Sequence, residues 1–476
     1  MLDDLSRTTM LILPCFSSLL AILLTLQPTV NGILEGCPIQ IEGSIGDANT
    51  TVEHVFELNK KLYPQLKELL GKDYFRFVAA NLYNKCLFWP EDGQCVLRAC
   101  QIEDCSVTSV PPGLRIPSKN AEQPTSFRVV GVDRADADCK DEEESLTLGQ
   151  LDPTLSSERK DAIDSWGAFD RSNDAEFCEP LDEASDKLIY VDLLRNQEKY
   201  TGYKGPSAYR VWSAIYRENC FDTEPPRFFY RQKMSPVDTR TCKEKRLFYR
   251  LISGFHTSTA VQLCYNYLLS NFGGASAFMT DASKVWGPNV EEFLRRFHPA
   301  NEPQSLSRLR NLHLAYVVEL RAIAKAAPLL RQHSFFTGNS ELDTTTRKDV
   351  SKILDLIEAN GHVFDETQLF PDAAEDMLQL KTEFRQHFYN ISRIMDCVGC
   401  DKCKLWGKIQ TQGMGTALKI LFSGDIYDRF ADNVIHRRPD FQLRRTDIVS
   451  LFHALGKLGS SIEALETFCK LLPSEP

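Results

Sequence analysis

Four long stretches in the second half of the chain place apolar residues three and four positions apart. They are "KEKRLFYRLISGFHTSTAVQLCYNYLLSNF" from Lys243, "SRLRNLHLAYVVELRAIAKAAPLLRQ" from Ser307, "RKDVSKILDLIEAN" from Arg347 and "AEDMLQLKTEFRQHFYNISRIMDC" from Ala374. This period makes each an amphipathic helix. Long helices bury such stripes against one another, so the predicted class is mostly α, a helical bundle around one large core. Residues 50–82 carry the same period and are predicted to be helical. Alternating strand-like runs are scarce, and no internal repeat is found. The 476 residues are ample for a large single core. The net charge of −10 argues against nucleic acid as a partner.

The first 32 residues are read as a secretory signal, from the apolar stretch Met10 to Leu26 and the small and polar residues after it. No later segment approaches the length of apolar chain that spans a membrane. Asn49-Thr-Thr and Asn390-Ile-Ser are glycosylation sequons, which fit a lumenal chain. Of 15 cysteines, Cys15 lies in the signal. The rest, in an oxidising compartment, read as disulfides, structural or catalytic. The proline-rich stretch 111–128 reads as a linker leading into the acidic segment "DRADADCKDEEES" around Cys139, a solvated loop.

Chemistry concentrates in "ISRIMDCVGCDKCKLWGK", where Cys397, Cys400 and Cys403 recur every three residues. An iron–sulfur run of the ferredoxin kind needs a fourth cysteine where Gly407 stands. A zinc site would have to recruit His387 or the distant Cys469, so no metal is assigned. A redox pair fits better. Helical spacing puts Cys400 and Cys403 on one face, near enough to bond. A helix N-terminus and Lys402 and Lys404 would favour a thiolate. The βαβ setting of a thioredoxin is missing, so this CxxC belongs to a helical core. Cys397 is left for a bridge to a distant cysteine. A disulfide that must be reoxidised calls for a two-electron acceptor, usually a flavin. There is no Rossmann fingerprint, and Gly413-Met-Gly415 reads as a helix-packing site, so a flavin would lie between helices. Cys95, Cys100 and Cys105 stand five apart in a turn-prone segment, either a loop staple or a mobile dithiol arm.

Four further stretches, "MDCVGCDKCKLWGKIQTQGMGTALKILFS", "YTGYKGPSAYRVWSAIYRENCF", "FYRLISGFHTS" and "YFRFVAANLYNKCLFW", give the chain its resemblance to the endoplasmic reticulum oxidoreductins. The likeness covers nearly everything after residue 55. It implies a lumenal flavoprotein thiol oxidase that reoxidises protein disulfide isomerase and passes electrons through FAD to molecular oxygen, giving hydrogen peroxide. By resemblance, Cys400–Cys403 is the active-site disulfide, with Cys403 against the flavin. Cys95–Cys100 is the shuttle pair. Cys86 bridges to Cys397, and Cys220 to Cys242. Cys105 and Cys139 are regulatory partners, pairing in a resting form with Cys100 and Cys95. The FAD contacts implied are Thr201, Trp212, Ser253, His256, Arg308 and Arg321, together with position 199. There Lys199 replaces the family's arginine and loses its bidentate reach. The paired cysteines usual near the mature N-terminus are reduced to Cys37, and Cys178, Cys264 and Cys469 have no assigned partner.

The expected organisation is a signal over 1–32, N-terminal helices and shuttle loop over 33–110, an acidic regulatory loop over 111–160 and a helical FAD-binding core over 161–476. The expected location is the endoplasmic reticulum lumen, with peripheral contact to the lumenal membrane face. The chain given closes on "LLPSEP", without a KDEL-type signal, so retention is expected through a resident partner. Two competing functions are a flavin-dependent sulfhydryl oxidase with another thiol partner and a non-enzymatic, disulfide-stapled binding protein.

Overall fold

The computed structural model describes residues 39, 41–89, 95, 98–115, 188–199, 201, 203, 205–218, 243–269, 286–369, 375–423, 427–429, 435–437, 441 and 443–472. The signal stretch, the acidic segment 133–145 and Cys37, Cys139, Cys178, Cys220 and Cys242 lie outside them.

The described chain is mostly helical. The longer helices are α1 (Val52–Leu70), α2 (Pro206–Glu218), α3 (Lys243–Tyr265), α4 (Val290–Phe297), α5 (Ser305–Gln332), α6 (Ser340–Asn360), α7 (Glu375–Ile394), α8 (Asp401–Phe422) and α9 (Arg445–Leu471). Their starts follow local chemistry. Thr51 caps α1 by accepting the N–H of His54, and Asn339 caps α6 by accepting those of Glu341 and Leu342. Pro206 opens α2, where no backbone donor is needed.

Helix α5 is the centre. Every residue from Asn311 to Leu320 is buried. A helix inaccessible all round must be wrapped by others, and α3, α6, α8 and α9 pack around this one. Two glycines set the closest approaches. A Cβ on Gly254 of α3 would lie 2.9 Å from the Ala315 Cβ of α5, and one on Gly413 of α8 would lie 2.6 Å from the Ala454 Cβ of α9. Gly413 is thus a helix-packing site. Gly413→Ala should cost about 1–3 kcal/mol through overpacking, read as a lower urea midpoint with an unchanged slope.

Residues 50–82 depart from the single helix expected. Helix α1 stops at Leu70, capped by Gly71. Phe77–Ala80 then forms strand β1, antiparallel to β2 (Ile189–Asp192), with Phe77 opposite Asp192. The Arg76 fork donates to both oxygens of Asp192, at 2.7 and 2.5 Å, and closes this ribbon. Two shorter ribbons pair Tyr267–Leu268 with Trp286–Gly287 and Tyr427–Arg429 with Ile435–Arg437. The N-terminal pieces share one core with the later helices. The turn Pro112–Leu114 packs on it as well, with Gly113 donating to the Thr337 carbonyl. Cys86 is bonded to Cys397 across 311 residues. Loop entropy alone makes that worth about 6 kcal/mol. No helix among the described residues is long and apolar enough to cross a membrane.

Candidate active site: two disulfides at Thr201

Helix α7 gives way at Ile394 to a tight turn, Met395–Cys397, which Cys86 clamps. The chain then runs extended through Val398 to Cys400, the N-cap of α8. Cys400 is bonded to Cys403, and its Sγ lies 3.2 Å from the Cys403 N–H that it accepts. The expectation of both sulfurs on one helical face is corrected here. Only Cys403 is in the helix, and Cys400 is its cap. The arrangement still favours a thiolate, because a cap sulfur faces the free N–H groups and positive end of α8. Lys404 turns inward and donates to the Leu82 carbonyl, while Lys402 lines the cavity below.

A second disulfide, Cys95–Cys100, docks against this one. The Cys95 N–H donates to the Gly399 carbonyl at 2.7 Å, one residue before Cys400. Between the pairs stands Thr201. Its carbonyl oxygen is 3.5 Å from the Cys100 Sγ and 3.9 Å from the Cys95 Sγ, and its Oγ1 is 3.3 Å from the Cys403 Sγ. Cys105 is a free thiol. The resting pair of Cys100 with Cys105 is therefore not the form seen, in which Cys100 is bonded to Cys95. Burial, then the neighbouring Asp192, pushes the Cys105 thiol above its ordinary range. That keeps it protonated and a slow nucleophile. Cys264 is free and buried, and burial pushes its thiol up to about 12. Cys469 is disulfide-bonded.

Cys403 also lines a cavity between α2, α3, α7 and α8, about 1160 Å³ counted out to its solvent-filled mouth. Its wall is mainly apolar, from residues such as Val211, Ile252, Phe255 and Met414, with Lys199, Gln410 and Thr411 as polar points. Lys199 and Thr201 stand at its edge, and Lys199 reaches over the Trp286 ring at 5.9 Å. Trp212 lines the cavity and stacks on His256, with ring centroids 3.7 Å apart at 21°. The Tyr216 hydroxyl is 2.8 Å from the His256 Nδ1. Burial, reinforced by the charges of Arg308 and Arg296, holds His256 down at about 3, so the ring is neutral. Ser253 accepts from Asn311 at 3.0 Å on the same side of α3.

Lys199, Thr201 and Trp212 line the cavity, whereas His256 lies against Trp212 with the charge of Arg308 near it and Ser253 faces Asn311 of α5, so these three are not on its wall. Arg321 does not join them. It lies 13 residues beyond Arg308 on α5, about 20 Å along the axis, and its fork is taken by Glu366 at 2.6 and 2.8 Å. The sequence reading passed over several residues of the region. Tyr216 is one turn from Trp212, and Tyr203 lies inside the quoted "YTGYKGP". Glu198 accepts from Gln410 at 2.9 Å and pairs with the buried Lys457. No local spacing links Lys457 to residue 198.

Glu218, at the end of α2, ties that helix to α7. His387 Nδ1 lies 3.1 Å and Asn390 Nδ2 3.0 Å from its Oε2. Asn390 is 3% exposed, which leaves no room for a glycan on its nitrogen in this packing, whereas Asn49 is exposed. Burial opposes a charge on His387, but Glu218 and Glu383 outweigh it and hold the ring up at about 9. A raised folded-state value means stability that is complete below the unfolded value of about 6.5 and lost as pH rises through about 9. Unfolding free energy should therefore fall by roughly 3 kcal/mol across that window. His387→Gln should flatten the slope in urea titrations at several pH values.

A cap disulfide beside an apolar cavity, with a second disulfide docked against it, defines a thiol–disulfide oxidoreductase on a helical frame. The family model for Endoplasmic Reticulum Oxidoreductin 1 (ERO1) matches residues 61–465. The Ero1-like protein of Drosophila melanogaster is 41% identical over 445 residues, 91% of this chain and 90% of that one. ERO1-like protein alpha of Mus musculus is 41% identical over 451 residues, 92% of each. The solved structure of Ero1p, described as a source of disulfide bonds for oxidative protein folding in the cell, is 27% identical with a TM-score of 0.52. The match spans 88% of this chain and 97% of that one. The chain belongs to the endoplasmic reticulum oxidoreductin family.

Proposed function

We propose that the chain is a lumenal, FAD-dependent thiol oxidase of the endoplasmic reticulum that reoxidises members of the protein disulfide isomerase family. One observation carries this. Thr201 touches two disulfides at once, and the inner one has a sulfur on the wall of a large, mainly apolar cavity.

The steps follow from the sulfurs. A reduced isomerase thiolate attacks the half-buried Cys95, and Cys100 leaves. The second isomerase thiol resolves the mixed disulfide, leaving the isomerase oxidised and Cys95 and Cys100 as thiols. A thiolate of that pair attacks the Cys400 Sγ, with the Cys403 sulfur leaving on the cavity side. Its partner closes Cys95–Cys100 again and frees Cys400. Two electrons and two protons have moved inward. Direction requires the outer pair to be more oxidising than an isomerase, itself near about −180 mV.

The cavity fits a flavin. It is mainly apolar, with a flat indole–imidazole stack on one side and a few polar groups for ring heteroatoms. Lys199, Thr201, Trp212, Ser253 and His256 would hold it, with Arg308 on the phosphates, and Arg321 would have to leave Glu366 to take part. FAD bound there supplies a two-electron acceptor for the Cys400–Cys403 dithiol and a route to molecular oxygen, which leaves as hydrogen peroxide. Cys105 and Cys139 would be the resting-state partners of Cys100 and Cys95. The slow Cys105 thiol suits a bond that forms only when substrate thiols run out. Trp212→Ala and His256→Ala should purify with a flavin-to-protein ratio well below wild type after dialysis. A wild-type ratio in both would count against this site.

A further inference from the structure

Thr201 is 5% exposed, and its two oxygens face opposite sulfur pairs. Its side-chain oxygen is 3.3 Å from the Tyr203 N–H, which it accepts. The hydroxyl hydrogen is therefore free to point elsewhere, and the Cys403 Sγ lies 3.3 Å away. A disulfide sulfur carries no hydrogen, so in the form seen Thr201 is the donor of that bond. The carbonyl is the reverse case. Cys95 and Cys100 are bonded to each other, so neither can donate to it. Once reduced, each carries an S–H, and the carbonyl becomes its acceptor.

We infer that Thr201 is a catalytic residue of the transfer between the two cysteine pairs: its carbonyl receives the S–H of the reduced outer pair, and its hydroxyl donates to the sulfur of Cys403 as that sulfur leaves. The inference rests on the thiol-transfer reading above, whatever the final electron acceptor. The step balances. An outer thiolate forms a bond to the Cys400 Sγ, the Cys400–Cys403 bond breaks, and the electron pair goes to Cys403. The second outer thiol then closes Cys95–Cys100 and releases Cys400. The carbonyl holds the S–H of the outer cysteine that stays protonated while the other attacks as the thiolate, and a donor on the leaving sulfur stabilises the charge it gains. The donor is the part that drives electrons inward.

The segment that carries Thr201 is held at several points. Glu198 pairs with the buried Lys457 and accepts from Gln410. The Trp406 indole N–H donates to the Asn196 carbonyl at 2.7 Å. The Tyr203 hydroxyl accepts from the Gly399 N–H at 3.4 Å. These contacts fix Thr201 to the same turn that presents Cys400. The charged groups near Cys403 include Asp401, Lys402 and Lys404 on its own helix, and Glu198 and Lys199 on the Thr201 segment. None is altered by a change at Thr201.

The test is the pKa of Cys403 in the reduced full chain without oxygen, read from iodoacetamide alkylation rates across pH. Asp401 lies between the two cysteines, so cleavage at aspartate puts Cys400 and Cys403 on separate peptides for mass spectrometry. Thr201→Val keeps the shape and removes the donor. It should raise the Cys403 pKa by about one unit or more, the size of a lost hydrogen bond to a charged group. It should also slow electron transfer between the pairs by about tenfold. Thr201→Ser keeps the donor and should keep the wild-type pKa of Cys403. Thr201→Ala gives the same reading as valine if the valine variant does not fold. An unchanged pKa in the valine or alanine variant overturns the inference, as does a serine variant shifted as far as valine. The measurement needs neither flavin nor oxygen. A low Cys403 pKa that depends on the Thr201 hydroxyl, in a chain with no oxidase turnover, would keep this inference and remove the functional reading.

Discussion

Cys403→Ala should abolish oxygen consumption with a reduced isomerase, by at least ~10³-fold, as expected when a group that acts as part of a unit is removed. The reason is position. Cys403 is the one cysteine among the described residues that lines the cavity, and the Cys400 Sγ is turned back onto the helix cap. Without Cys403, a reduced outer pair has no disulfide to attack and no dithiol can form beside the cavity. The fold should survive. The lost loop spans three residues, which on loop entropy contributes only about 2 kcal/mol. Alanine is well suited to the first turn of a helix, and the Cys400 thiol still accepts from the cap. Oxygen-electrode traces with reduced isomerase and a circular dichroism melt give both halves. Substantial turnover in a folded variant would remove Cys403 from its role.

Cys95→Ala should separate two kinds of substrate. With a protein dithiol, turnover should fall by about 10²-fold or more, because the inner pair is out of a protein's reach. Cys400 is wholly buried, and the Cys95 N–H is bonded to the Gly399 carbonyl beside it. With dithiothreitol the fall should be far smaller, since a small dithiol can enter along the cavity to Cys403. Initial rates with both substrates on one preparation check this. Equal losses would mean that the outer pair is a loop staple.

Much of the frame was legible in periodicity. The stretch from Ser307 to Gln332 is helix α5 with two residues added at its start. An apolar stripe of that length has few other ways to be buried. Residues 77–82 were not legible, because β1 forms only by pairing with a segment more than a hundred residues away. Local spacing favours a helix there, and a distant partner decides otherwise. The cap at Cys400 was missed for a related reason. Three-residue spacing fits a continuous helix, and the break at Met395–Cys397 is fixed by the long-range bond to Cys86. At the site, residue types such as Trp212 and His256 stand out, but their stacking depends on how α2 meets α3. Arg308 and Arg321 look equivalent on one helix. Their separation along the axis and the pairing of Arg321 with Glu366, after α6, set them apart.

The central claim is that electrons pass from a dithiol through Cys95–Cys100 and Cys400–Cys403 to a flavin in the cavity. It is tested most directly by the visible spectrum of the purified protein, followed without oxygen after one equivalent of reduced isomerase is added. The account predicts a bound-flavin band that bleaches in wild type, recovers when air is admitted, and persists unbleached in Cys403→Ala. A protein with no flavin band, or a band that bleaches equally in Cys403→Ala, would contradict it.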